Sequence, residues 1–301
     1  MKLYKYNFSG FIWSPAKKIT DEILEHINKT FPVLHYYTYE FKNKDDFEKS
    51  ILDIYTTDDI DSNKVKNVKI KNMINHSFSY TYFKLYIEKP NFREKATGNN
   101  ISQSVENIKK VIRTSYMGKV QNYIHDIIIH ISDNFEQTKA IDIVMKKYEQ
   151  NRKDEFVNLK YFLKCNYVND VFDRADMLVR KYSIEQYLKN KEYDFSLYNK
   201  MQKKRTSRNS QKYTNDFKNL INSLVEKGFN INNPIKYSDN YLLRDGSHRL
   251  SYLYLKQKTF IPVKTMPWDN HGTYSINWFI NNGFSNDELN IINNEITKLF
   301  V

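Results

Sequence analysis

The chain has 301 residues, enough for two domains that each bury a core of their own. Its 47 Lys and Arg against 35 Asp and Glu leave a net charge of +12, which favours anionic partners (nucleotides, phosphorylated metabolites, nucleic acid or an acidic membrane surface), while the abundance of Lys beside Asn, Ile and Tyr also fits a compositional bias. A single cysteine, Cys165, excludes an internal disulfide framework and a Cys-based zinc cluster, a hydrophobic content of 40% argues against disorder, and there is no run of about 18 apolar residues to span a membrane.

The opening Met1-Lys-Leu-Tyr-Lys-Tyr-Asn lacks the apolar core of a signal peptide, so a cytoplasmic location is expected. Leu3 to Trp13 reads as a strand, and Ser14-Pro15 as a helix start with Ser as cap and Pro in the first turn. Ile19, Ile23, Leu24 and Ile27 then repeat at helical spacing, and Phe31 to Phe41 is a second strand. This strand–helix–strand opening is typical of α/β domains. The Ser14 turn, with Lys17 and Lys18 beside it, is either a plain cap or a phosphate site.

Asp45 to Ile60 predicts a helix, Tyr80 to Glu88 a strand, and Ser102 to Tyr116 an amphipathic helix on which Lys109 and Arg113 share a face expected to be solvated. Tyr123 to Asn134 is a long apolar run of the kind found in the middle of a parallel sheet, ending in polar residues. Ligands in α/β domains gather at such strand ends, which makes His130, Asp133 and Asn134 candidates for a site in this half. The alternative is that Asp133 or Asn134 caps the helix from about Phe135 to Tyr148 and that His130 is a satisfied core residue.

The charged stretch Glu149 to Asp154 marks the expected boundary. Residues 1–150 are expected to form an α/β domain with a partly parallel sheet that helps select an acceptor substrate. Residues 151–190 are expected to form a helical connection from the segments Phe156–Tyr167, Val171–Lys181 and Ile184–Leu188. Residues 191–301 form a second domain, making the fold class α/β (α+β). Here Lys203 to Arg208 reads as a basic loop, Asp216 to Gly228 as a helix with a glycine stop, and Pro234-Ile235 as the start of a short strand. A second strand then runs into Asp245-Gly246-Ser247-His248-Arg249, a tight turn opening a helix, and Phe260-Ile-Pro-Val-Lys264 is the closing strand. Two helical segments, Tyr274–Gly283 and Asp287–Phe300, form a C-terminal cap. The turn makes an anion site, because the first N–H groups of a helix lack internal partners and sit at the positive end of its dipole.

The order of these elements, together with Asp245-Gly-Ser-His-Arg249, resembles the ParB/sulfiredoxin-like superfamily over Tyr193 to Met266, about a quarter of the chain. Sulfiredoxins carry a reactive cysteine where this chain has Ser247, so sulfinate reduction is not expected. Partition-type ParB proteins continue into a helix-turn-helix domain, for which the 35 residues after Met266 are too few. Free serine kinases of the superfamily have Asp-Gly-x-His-Arg, the closest match. That resemblance implies a nucleotide-dependent phosphotransferase acting on a hydroxyl of a small molecule. ParB-like domains of this extended form also look similar to proteins associated with bacterial surface-glycan synthesis, which implies a sugar, polyol or glycan precursor as acceptor class. It implies nucleotide phosphates (ATP, ADP or CTP) held by Gly246, Ser247, His248 and Arg249, with Arg205 and Arg208 closing over them. Asp245 and His248 are the implied catalytic residues of the turn, with Asp194 or Glu192 as base and Asp245 also orienting Mg²⁺. The alternative is a nucleotide- or nucleic-acid-binding module, a nuclease or regulator, favoured by the basic cluster and the net charge. No obligate protein partner is evident.

Overall fold

The computed structural model describes residues 7–58, 60–94, 100–124, 127–169, 171–206, 210–238, 241–267 and 272–299. The chain divides into two compact units, Met1–Phe156 and Val157–Val301. Among the described residues, no helix is long and apolar enough to cross a membrane.

The first unit contains strands β1 (Asn7–Ile12), β2 (Val33–Glu40), β3 (Ser79–Tyr86), β4 (Phe92–Glu94), β5 (Asn100–Ser102), β6 (Ile129–Ile131) and all but the last two residues of β7 (Arg152–Asn158). Five of them lie in the order β7-β2-β3-β1-β6, and β4 pairs with β5 in a separate ribbon. Both β1 and β2 run antiparallel to β3, which lies between them. The strand–helix–strand opening is therefore split, with β1 and β2 sharing a direction without touching. The helix that joins them, Thr20–Thr30, buries Ile23, Leu24 and Ile27 as its spacing predicts. Ser14 does not act as the expected cap: Trp13 precedes the short 3₁₀ turn Ser14–Ile19, and the buried Ser14 hydroxyl donates to the Met73 carbonyl.

The mixed α/β class is what the chain adopts, but with different pairing in this half. Among the described residues, the apolar run of 123–134 contributes one short strand, β6, which is antiparallel to β1 and stands last in the strand order. Ile127, Ile128, Ile129 and Ile131 are all fully buried, and burial is what an apolar run reports, whatever the pairing. The charged stretch at the expected boundary is a 3₁₀ turn, Glu149–Asn151, running into strand β7, in which the charged residues Arg152 to Glu155 precede Phe156 and Val157.

The second unit holds β8 (Tyr167–Val168) and β9 (Val171–Phe172) as a ribbon, then β10 (Ile235–Tyr237), β11 (Leu243–Asp245) and β12 (Phe260–Thr265). β10 pairs antiparallel with β11 and parallel with β12, and the helix Ser247–Leu255 makes the crossover. The segments expected as two short helices merge into one, Ala175–Lys189. This helix supplies Met177 and Leu178 to one apolar cluster, with Ile235, Leu250 and Ile261, and Val179 and Ile184 to another, with Phe195, Phe217 and Phe279. Buried on several sides, it shows no one-sided apolar stripe, which is why its period was hard to read. The basic stretch from Lys203 begins on a helix, Ser196–Arg205, and the next helix, Ser210–Lys227, ends at Gly228 in the left-handed region.

In the first unit, Gly10 of β1 lies under the ring of its cross-strand partner Phe83, which occupies the space where a Cβ would go. Substitution Gly10→Ala is expected to cost about 1–3 kcal/mol by overpacking, measured as a lower urea midpoint; an unchanged midpoint contradicts this packing.

Candidate functional site

The Asp245–Arg249 turn is built by β11, a glycine and a helix start. Gly246 adopts φ 93°, a region that favours glycine, and a Cβ there would lie 2.8 Å from Ile235 Cδ1. Asp245 Oδ1 accepts from the Gly246 N–H at 2.7 Å, and the Leu250 N–H donates to the Gly246 carbonyl at 2.8 Å. The first N–H groups of Ser247–Leu255 are thereby presented at the mouth of a cavity of about 330 Å³. The helix is held against its neighbour by Ser251 Oγ, which donates to the Met177 carbonyl at 2.8 Å.

Four arginines line the cavity (Arg180, Arg205, Arg244 and Arg249), together with Asp245, Ser247 and His248. Beneath them lies Asp176, which is wholly buried. Arg174 grips this carboxylate with two bonds, Nε to Oδ1 at 2.8 Å and Nη2 to Oδ2 at 3.0 Å. Arg180 Nη1 adds a third at 2.7 Å, and Arg205 Nη1 lies 3.6 Å away. Burial raises the pKa of Asp176, but the arginines outweigh it and hold the carboxyl well below the ordinary range. The same Arg174 donates to the Leu243 carbonyl at 2.8 Å and to Ser247 Oγ at 2.9 Å. It thus ties the buried carboxylate to both the strand and the helix of the turn.

The arginines also set the state of His248. Gln202 Oε1 accepts from Arg205 Nη1 at 3.1 Å and from Arg180 Nη2 at 3.5 Å, which turns its amide nitrogen to Tyr198 Oη at 3.2 Å. The Tyr198 hydrogen is then free to go to His248 Nε2 at 2.9 Å, leaving the imidazole proton on Nδ1 by this assignment of the network. Burial, then Arg180 and Arg205, hold His248 well below its ordinary pKa, so it is a neutral donor and not an imidazolium.

Arg249, by contrast, is partly committed to the fold: Nη1 donates to the Asn233 and Pro234 carbonyls, and Nη2 lies 3.6 Å from Asp245. Arg244 is the freest of the four. Its Nε and Nη1 are shielded from solvent and have no hydrogen-bond partner among the described residues, and the same holds for Nε of Arg180 and of Arg205. Shielded guanidinium donors around a concave surface are suited to anionic acceptors.

The expected carboxylates upstream do not join this group. Glu192 is exposed, and Asp194 accepts from the Ser196 N–H at 2.9 Å, and neither lines the cavity. Asp245 is the only carboxylate among the described lining residues; its Oδ2 lies 3.4 Å from Lys236 Nζ, and its side chain is 56% exposed. Arg208 lies outside the described residues. The buried Cys165 thiol, pushed up to about 11 by desolvation, is not poised as a nucleophile.

In the first unit Asp133 and Asn134 are taken up by the structure. Asn134 caps the helix Phe135–Lys146 by accepting from the Gln137 N–H, and Asp133 is paired with Lys109 Nζ at 2.8 Å. Lys109 and Arg113 do not form a solvated face: they reach the Ile131 and Ile129 carbonyls at 3.3 and 3.1 Å. His130 is 5% exposed among Phe11, Trp13 and Tyr55, and burial holds it well below its ordinary pKa.

Arg174, Asp176, Arg180 and Arg244 were not singled out from the sequence. The i,i+4 spacing of Asp176 and Arg180 on one helix was a usable signal, but nothing local linked it to a turn some seventy residues on. No family model matches the chain, and no curated protein or solved structure matches it.

Substitution Asp176→Asn leaves buried guanidiniums without their counter-charge and is expected to cost about 3–5 kcal/mol, whereas Arg244→Ala, which breaks no bond, leaves the melting temperature close to that of the unaltered chain. Equal losses in the two variants contradict this arrangement. The lowered pKa values of His130 and His248, and that of His35 at about 3, also set a pH dependence. Below about pH 6.5 the unfolded chain takes up protons that the folded chain refuses, so stability present at neutral pH falls as pH drops, by up to about 1.4 kcal/mol per unit per histidine. Unfolding measured from pH 7.5 to 5 is expected to show a shallower slope for His130→Gln; an unchanged slope contradicts a neutral His130.

Proposed function

We propose that the second unit is a ParB/sulfiredoxin-like phosphotransferase that holds nucleotide phosphates in the arginine cavity and passes a phosphoryl group to a hydroxyl of a small molecule. The observation that carries this reading is the set of four guanidiniums around a small cavity at a helix start. Phosphoryl transfer asks a protein mainly for alignment and for positive charge around the equatorial oxygens. Arg180, Arg205 and Arg244 suit the phosphate oxygens, and neutral His248 offers Nδ1–H as one further donor. The acceptor oxygen forms the new bond to phosphorus as the bond to the nucleotide's bridging oxygen breaks. The hydroxyl proton goes to Asp245, and the displaced nucleotide leaves with the electron pair of the broken bond.

Among the described residues no cluster of three His, Cys, Asp or Glu marks a closed metal cage. Magnesium suits a lone carboxylate supplemented by phosphate oxygens and water, so Asp245 is the residue that would hold it, and its chemistry would be charge neutralisation on the phosphates. A carboxylate has about four acceptor positions, enough for the Gly246 N–H and a further role. A sugar, polyol or glycan precursor remains the acceptor class of this proposal.

ATP, ADP or CTP at about 100 times its dissociation constant is expected to add about 2.7 kcal/mol of stability. Arg244→Ala is expected to abolish that gain, and Asp245→Asn to keep it while losing transfer of labelled phosphate to a pool of polyols and sugars. If no nucleotide stabilises the chain the proposal fails; polynucleotide binding with a steep salt dependence in its place assigns the cavity to nucleic-acid phosphates.

A further inference from the structure

The first unit has a cavity of about 480 Å³ that the arginine site does not explain. Three segments meet there: the turn Ser14–Ile19, residues 75–77, and the short turn Met117–Lys119 with Gln121 after it. The first of these segments is anchored by two buried bonds: Ser14 Oγ donates to the Met73 carbonyl at 2.8 Å, two residues before Asn75, and the Trp13 N–H donates to the Ile128 carbonyl at 3.0 Å. Lys17, Lys18 and Lys119 stand around it with His76, and no carboxylate is among the described lining residues. A concave surface lined by one sign of charge concentrates the field at its centre.

Two of the lysines are paired away from the cavity, Lys17 with Glu40 at 3.4 Å and Lys119 with Glu22 at 2.5 Å. The side chains of both pairs are about half exposed, so the pairs are weak and their ammonium groups can turn to a better acceptor. Lys18 has no ion pair among the described residues. Asn75, Ser77 and Gln121 add side chains that both donate and accept, as recognition of hydroxyl groups requires.

We propose that this cavity binds a small phosphate ester bearing several hydroxyl groups, with the phosphate among Lys17, Lys18 and Lys119 and the hydroxyls toward Asn75, Ser77 and Gln121. The inference does not rest on the arginine cavity and stands if phosphoryl transfer there is disproved.

Acetylation footprinting of the full chain, read by mass spectrometry, tests it with glucose 6-phosphate, glucose and inorganic phosphate as probes. Glucose 6-phosphate is expected to protect Lys18 and Lys119, and glucose to protect neither. By calorimetry Lys18→Glu is expected to weaken glucose 6-phosphate about tenfold and Gln121→Ala to weaken it less, with Arg244→Ala without effect. Absence of protection at Lys18 and Lys119 overturns the proposal. So does binding that Arg244→Ala removes, which assigns the ligand to the other cavity, and so does inorganic phosphate binding as tightly as the ester, which removes any role for the hydroxyls.

Discussion

The second unit depends on one buried carboxylate. Asp176 has no access to water, and taking it and its arginine partners into the interior carries a desolvation penalty that only close, multiple contacts offset. Those contacts are present: two from Arg174, one from Arg180 and a longer one from Arg205. The geometry that satisfies the carboxylate also orders the cations. Arg174 spends its remaining donors on the Leu243 carbonyl and Ser247 Oγ, so the strand and helix that flank Gly246 are referenced to the same charge.

From this follows a division of labour among the arginines. Those that touch Asp176 are ordered by it, Arg249 braces the loop before β10, and Arg244 is left with shielded donors and nothing to receive them. Like charges gathered at one cavity repel one another, and Asp176 and Asp245 are the carboxylates that offset this for Arg180, Arg205 and Arg249. The Gln202–Tyr198–His248 chain extends the same ordering to the imidazole, which becomes a neutral donor beside the cations instead of one more charge. The first unit shows the contrast. There Lys109 pairs with Asp133, Arg113 reaches a carbonyl of β6 and Asn134 caps a helix.

Much of the architecture was legible locally. The opening strand–helix–strand, the helix after Ser102, the Asp-Gly turn and the closing Ile-Pro-Val strand each announce themselves within a dozen residues, because periodicity, capping and turn chemistry are short-range physics. Where the reading missed, burial had removed the signal. Ala175–Lys189 is enclosed on several sides and shows no stripe, and the apolar run before Ser132 is as consistent with a short antiparallel strand under helices as with a central parallel one.

By itself the sequence marked Asp245-Gly246 as a tight turn opening a helix, a place where N–H groups without internal partners favour an anion. It also determined which residues follow the turn. What only the tertiary structure decided is who else stands at the site: Arg180 and Arg205 arrive from other helices through a shared buried carboxylate, Arg244 is left unpaired, and Asp194 and Glu192 stay outside. The reason is that a charge network is a property of neighbours in space, and its members are separated by up to about seventy residues of chain, a distance over which no local pattern carries information.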